Sequence, residues 1–159
     1  MALLFLDLTK CSICGKVIKD TQKAYSFYPF IQNKKDPFFI FSDASFHLEC
    51  LQQHPLGLTA ISFGEQLIFE TRPVNRRCKI DNEIISDYKD YIFFDLLSSN
   101  KEDDIYRFNF TTLNRNNLDK WKDRDQFLEV AGKMIREDKW EDLTSFKYLE
   151  KLIEIVRGE

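Results

Sequence analysis

Four residues constrain this chain more than any others. Cys11 and Cys14 stand three positions apart in "TKCSICGKVI", and His47 and Cys50 stand three apart in "SFHLEC". Zinc takes four nitrogen or sulfur ligands at the corners of a tetrahedron, at about 2.0–2.3 Å from the ion. Two cysteines at this spacing span one edge of that tetrahedron from a tight turn, and Gly15 lets the turn close. On a helix His47 and Cys50 share a face, and Ser45 is the expected N-cap that puts both in the first turn. A catalytic zinc keeps one position for water, whereas Cys11, Cys14, His47 and Cys50 fill all four. The expectation is one structural Zn2+ ion.

Between the two pairs lie strand-like segments at Ala24–Phe30 and Phe38–Phe41, divided by the turn-like "QNKKDP". A knuckle, a hairpin and a helix carrying the second ligand pair follow one another in the order of a treble-clef zinc finger. Residues 9–54 resemble the first zinc half of a LIM domain, with "CSICGKVI" as its opening knuckle and "FHLECL" as its closing one. The gap between the pairs is longer than LIM domains usually have, and no second cysteine-rich half follows at once. The resemblance implies a platform for a protein partner rather than a site for a substrate. Two rivals have less to stand on. A redox CxxC calls for a βαβ setting that is missing here. His47-Leu48-Glu49 reads as the H-x-E of a zinc deaminase, but the CxxC precedes it and Cys50 takes the water's place.

A faded second copy follows. "CKIDNEII" begins at Cys78, 67 positions after Cys11, and Tyr25–Leu51 aligns with Tyr91–Leu118 if one residue is inserted. In that alignment Tyr25 meets Tyr91 and Phe27 meets Phe93, while Asp36 meets Asp103, Phe41 meets Phe108 and Leu51 meets Leu118. At the ligand positions Cys14 becomes Asp81, His47 becomes Asn114 and Cys50 becomes Asn117, so only Cys78 survives. The second copy is expected to bind no zinc and to bridge the same gap with hydrogen-bonding side chains. Thr112 takes the N-cap role of Ser45, and Cys78 is left as a partly buried free thiol.

Two amphipathic patterns end the chain. Phe127, Val130, Ala131, Met134 and Ile135 draw one helical stripe, and Phe146, Leu149, Leu152, Ile153 and Val156 a second, with Gly158 as its stop. The expected architecture is α+β: tandem duplicated treble-clef-like modules, the first zinc-bound, with a C-terminal pair of helices packed on the second. The boundaries are 1–73 for the zinc module, 74–122 for the metal-free copy and 123–159 for the helices.

Composition narrows the function. The 159 residues carry a net charge of −3 and, among their apolar residues, fifteen Phe. That charge lacks the basic surplus by which duplex binders neutralise phosphate. Nor does any stretch approach the ~18 apolar residues of a membrane helix. "MALLFLDLTK" has no basic start and is broken by Asp7, unlike a signal peptide. A soluble, cytoplasmic protein is expected, where cysteines hold metal more often than they form disulfides. With two histidines, one of them His47 and the other, His54, at an expected helix end, no catalytic constellation assembles. The sequence thus reads as a non-enzymatic, zinc-stabilised protein-binding module. By analogy with small acidic bacterial proteins it is an immunity protein that neutralises a toxin by direct binding. The alternative is a nucleic-acid-binding zinc-finger regulator, which the acids beside many of the aromatics disfavour.

Overall fold

The computed structural model describes residues 3–143 and 145–158. Its architecture is mixed α and β, with two small antiparallel sheets and four α-helices among the described residues. The first half opens with a knuckle: Cys11 N–H donates to the Lys16 carbonyl at 2.9 Å and Gly15 N–H to the Cys11 carbonyl at 2.8 Å. Gly15 closes it at φ +70°, a conformation glycine adopts without cost. Next comes a two-stranded sheet of β1 (Ala24–Ser26) and β2 (Ser45–His47), with Ala24 opposite His47 and Ser26 opposite Ser45. Helix α1 (Leu48–Gln53) continues directly from β2, and α2 (Gly57–Glu70) follows His54 and Pro55.

Several local expectations are corrected here. Phe38–Phe41 is not a strand but part of a 3-10 helix, Pro37–Phe41, capped by Asp36 Oδ1 on the Phe38 N–H at 2.8 Å. An Asp-Pro start of this kind favours a helical turn over the aromatic run's β-propensity. The strand that pairs with β1 is Ser45–His47, so Ser45 lies in a strand and not at an N-cap; His47 holds that place, without a side-chain cap bond. Thr112 likewise lies in a strand, and Asn114 caps the turn after it by accepting from Asn116 N–H at 2.9 Å.

The same backbone bonds recur 67 residues later. Cys78 N–H donates to the Glu83 carbonyl and Asn82 N–H to the Cys78 carbonyl, at 2.9 and 2.8 Å. Asn82, one of the few residue types that tolerate it, takes the left-handed φ of +63° where Gly15 stood. Strands β3 (Tyr91–Phe93) and β4 (Thr112–Asn114) pair with Tyr91 opposite Asn114 and Phe93 opposite Thr112. Each knuckle meets its sheet through the same backbone bond, Ser12 N–H to the Ser45 carbonyl and Lys79 N–H to the Thr112 carbonyl. The Ser42 hydroxyl accepts from Phe30 and Ile31 N–H, as the Asn109 carboxamide oxygen does from Leu97 and Ser98 N–H. The spacing is 67 throughout, so Phe27 corresponds to Phe94 rather than to Phe93 and the one-residue insertion is not needed. The recurrence also reaches further than residue 122. Helix α3 (Arg124–Arg136) begins 67 residues after α2, and its buried Phe127, Ala131 and Met134 stand where α2 buries Ala60, Gly64 and Leu67.

Two aromatic cores result. In the first, Phe27 packs against Phe30, Phe41 and Phe46 with centroids 5.5–6.0 Å apart. In the second, Phe94, Phe108, Trp121 and Phe127 pack at 4.7–6.0 Å. Rings at these separations and tilts add to what their buried area contributes. Helices α3 and α4 (Tyr148–Arg157) close the second core with Val130, Met134, Leu149, Leu152, Ile153 and Val156, and Gly158 stops α4 at φ +82°. Phe146 lies before α4 and is exposed, so the stripe begins at Leu149.

Buried polar residues stitch the halves together. Asn33, 3% exposed, donates from Nδ2 to the Lys139 carbonyl at 2.9 Å and accepts at Oδ1 from Glu141 N–H at 3.0 Å. Asp36 Oδ2 accepts from Ser99 N–H at 2.7 Å, and Leu96 N–H donates to the Phe30 carbonyl at 2.9 Å. No helix among the described residues is long and apolar enough to cross a membrane.

Candidate metal centre

The knuckle delivers Cys11 and Cys14, the last residue of β2 delivers His47, and the first turn of α1 delivers Cys50. One donor atom from each of the four lies within 4.8 Å of all the others. A tetrahedron with bonds of 2.0–2.3 Å has edges of roughly 3.3–3.8 Å. Two edges are already near that length: Cys14 Sγ to His47 Nδ1 is 3.4 Å and Cys50 Sγ to His47 Nδ1 is 3.9 Å. The residues fit a metal ion such as zinc.

The histidine is oriented for ligation. Its Nε2 lies 3.3 Å from the Val17 carbonyl, which can only accept, so that nitrogen carries the proton. The Nδ1 lone pair then faces the three sulfurs. A backbone carbonyl fixing the tautomer in this way is the usual support behind a metal-bound imidazole.

The thiols are electrostatically divided. Burial pushes the Cys11 thiol up, but backbone N–H groups of Cys14, His47 and Ile13 outweigh it and bring the thiol down to about 6. Burial lifts Cys50, and the sulfurs of Cys14 and Cys11 lift it further, to about 11. Three sulfurs this close cannot all carry charge unaided. A divalent cation removes that conflict by ligating each as thiolate, which couples metal affinity to pH and to folding.

At the corresponding positions of the second half hydrogen bonds take the place of donor atoms. Asn114 N–H points at Cys78 Sγ at 3.3 Å, and Asn117 Nδ2 donates to Asp81 Oδ2. Glu83 N–H, and to a lesser degree Cys78 and Asn117, hold the Asp81 carboxyl below its ordinary range. The knuckle and the start of the Arg115–Lys120 3-10 helix are thus bridged by a charged carboxylate and a carboxamide.

The remaining candidates have structural partners. His54 ends α1, accepts at Nδ1 from Leu56 N–H at 3.2 Å and meets the edge of Phe41. Asp103 takes the Ser98 hydroxyl at 2.6 Å and so holds its turn. Sequence reading missed α2, whose Gly64 packs closely on Phe27 in the first aromatic core; the 67-residue spacing from the α3 stripe is the signal that locates it. No protein-family model, no curated protein and no solved structure matches the chain.

Proposed function

We propose that this chain is a non-catalytic protein-binding protein clamped by one structural zinc ion at Cys11, Cys14, His47 and Cys50. The observation that carries the reading is the closed donor set. Three sulfurs and one imidazole nitrogen gathered within 4.8 Å complete a tetrahedron and leave no position for a reacting water. We read the two halves as copies of one treble-clef-like unit, the first LIM-like and zinc-bound, the second held by Asp81 and Asn117. On this reading the second copy extends through α3, and only the segment beyond it is an addition.

Recognition of a protein is supported by what the N-terminal segment leaves outside. Leu3, Phe5, Leu6 and Leu8 are all exposed, and apolar side chains clustered along one exposed stretch mark interaction surfaces. The proposed partner is a toxin, neutralised by direct binding in the manner of a bacterial immunity protein, and the proposed compartment is the cytoplasm, where thiol ligands stay reduced. The test is capture from the native host on the zinc-loaded chain, with a Phe5→Asp, Leu8→Asp double variant in parallel. The reading expects a stoichiometric partner that is toxic when expressed alone, is silenced by co-expression of the wild-type chain, and is lost by the variant. A partner without toxicity overturns the immunity assignment, and absence of any stoichiometric partner overturns protein binding.

A further inference from the structure

Between the C-terminal end of α2, the second knuckle and the segment leading into β4 lies a cleft of about 510 Å3. Pockets that hold small molecules run from about 300 to 1,000 Å3. Arg77, Lys79 and Arg107 line it, against a single carboxylate, Glu70. This is a local excess of cations on a chain whose net charge is −3.

The three cations are not equally occupied. Arg107 is held by Asp123 at 3.2 Å and by the Gln126 carboxamide at 2.7 Å. Arg77 gives one N–H to the Asn82 carbonyl at 3.1 Å and pairs with no carboxylate among the described residues. Lys79 has none either; its ammonium lies 6.0 Å from the Phe108 ring centroid. Unbalanced charge on a concave wall focuses its field into the cavity and attracts an anion.

The apolar lining is aromatic. Phe69 is 53% exposed at the rim, and Phe110 closes the inner wall. Phe110 holds a left-handed φ of +54°, where the corresponding residue of the first half is Asp43 at +52°. A bulky side chain there is strained and persists where its surroundings over-determine it. Its ring lies 6.4 Å from both Phe63 and Phe93. Most of the cleft's chemistry is particular to the second half: Lys10 matches the charge of Arg77, but Ser12, Ile40 and Asp43 stand where the second half carries Lys79, Arg107 and Phe110.

We propose that this cleft binds one nucleotide unit, its phosphate on Arg77 and Lys79 and its base against Phe69 and Phe110. The open ring of Phe69, with the largely buried Phe110 behind it, beside two uncompensated cations suits a flat heterocycle joined to a phosphate better than the aliphatic arm of an acidic side chain. Stacking of a base on an aromatic side chain tolerates any sequence, because every base has a π-face. The unit can be a free nucleotide or part of a single strand, since both offer the same chemistry. This inference stands apart from the toxin-binding reading.

The test is calorimetric titration of the zinc-loaded full chain with AMP, with an eight-residue thymidine oligonucleotide and with inorganic phosphate. Lys79→Glu and Phe69→Ala are the variants; both positions are exposed, and far-UV circular dichroism checks their folding. Lys79→Gln serves if the reversal disturbs folding. Saturable AMP binding is expected, weakened about tenfold or more by Lys79→Glu. Phe69→Ala should weaken AMP about fivefold or more, as loss of one stacking face implies, and leave phosphate unchanged. An oligonucleotide about tenfold tighter than AMP assigns the site to a strand, and equal or weaker binding assigns it to the free nucleotide. Failure of both to bind, binding no tighter than phosphate, or binding indifferent to Lys79→Glu overturns the proposal.

Discussion

Asn117 Nδ2 donates to Asp81 Oδ2, joining the second knuckle to the turn after β4 at the two positions where Cys50 and Cys14 stand in the first half. One half therefore offers metal donors where the other makes a hydrogen bond between the same two backbone sites. Removing the bond by Asn117→Ala leaves a charged carboxylate without its carboxamide, and because Asp81 is exposed to water the urea midpoint should fall only slightly. The triple change Asp81→Cys, Asn114→His and Asn117→Cys, with Cys78 kept, should raise zinc from one to two per chain by elemental analysis. A content that stays at one contradicts the shared frame.

Gly64 tests how α2 packs. A Cβ there would meet Phe27 Cδ1 at 2.9 Å, and the Phe27 ring is fixed by Phe30, Phe41 and Phe46. Glycine to alanine within a helix ordinarily gains about 1 kcal/mol, but overpacking a fixed core costs roughly 1–3 kcal/mol. Gly64→Ala should thus lower the urea midpoint. Gly132→Ala is the control, because its Cβ meets only the mobile end of Arg136 at 3.0 Å, and should raise the midpoint.

That packing also explains why α2 was illegible in the sequence while the metal quartet was not. Four N/S donors at fixed spacing announce themselves without any knowledge of the fold. Helix α2 buries Gly57, Ala60, Gly64 and Leu67 and leaves Leu58, Ile68 and Phe69 outside, so small residues on its inward face and apolar ones on its outward face blur the helical stripe. The Phe38–Phe41 run has strong strand propensity, yet the Asp36 carboxylate and Pro37 start a 3-10 turn that buries Phe38 and Phe41. Ser45 looked like a cap because the chain passes from strand to helix at His47 with no intervening loop. In each case packing or a single side-chain bond decided what local preference left open.

Asn33 should be the most sensitive point of the seam. Asn33→Ala removes the acceptor of the Glu141 N–H and the donor to the Lys139 carbonyl at a buried site. Leaving such groups unsatisfied costs about 1–3 kcal/mol. Calorimetry should show a lower melting temperature, and hydrogen exchange should rise at Lys139–Glu141 before it rises in the sheet of β1 and β2.

Asp95 gives stability a pH dependence. Burial pushes its carboxyl up to about 6, against the opposing bonds from Gln32 and Tyr148. The unfolded carboxyl titrates near 3.8, so between these values the folded chain holds a proton the unfolded chain has released. Its contribution is full below pH 3.8 and is lost as the pH rises through about 6. Asp95→Asn should therefore stabilise the protein at pH 7 by about 1 kcal/mol after solvent screening and leave it unchanged at pH 3.5. Paired urea titrations at the two pH values read the difference directly.

Zinc content per chain, measured by elemental analysis on the wild type and on Cys50→Ala alongside thermal unfolding, bears most directly on the clamp. One zinc is expected in the wild type, and in the variant loss of that zinc together with cooperative unfolding of the first module, since a structural zinc site can contribute ~10 kcal/mol or more to folding. A wild type that folds cooperatively without metal, and a Cys50→Ala variant that melts with it, would rule out a metal clamp.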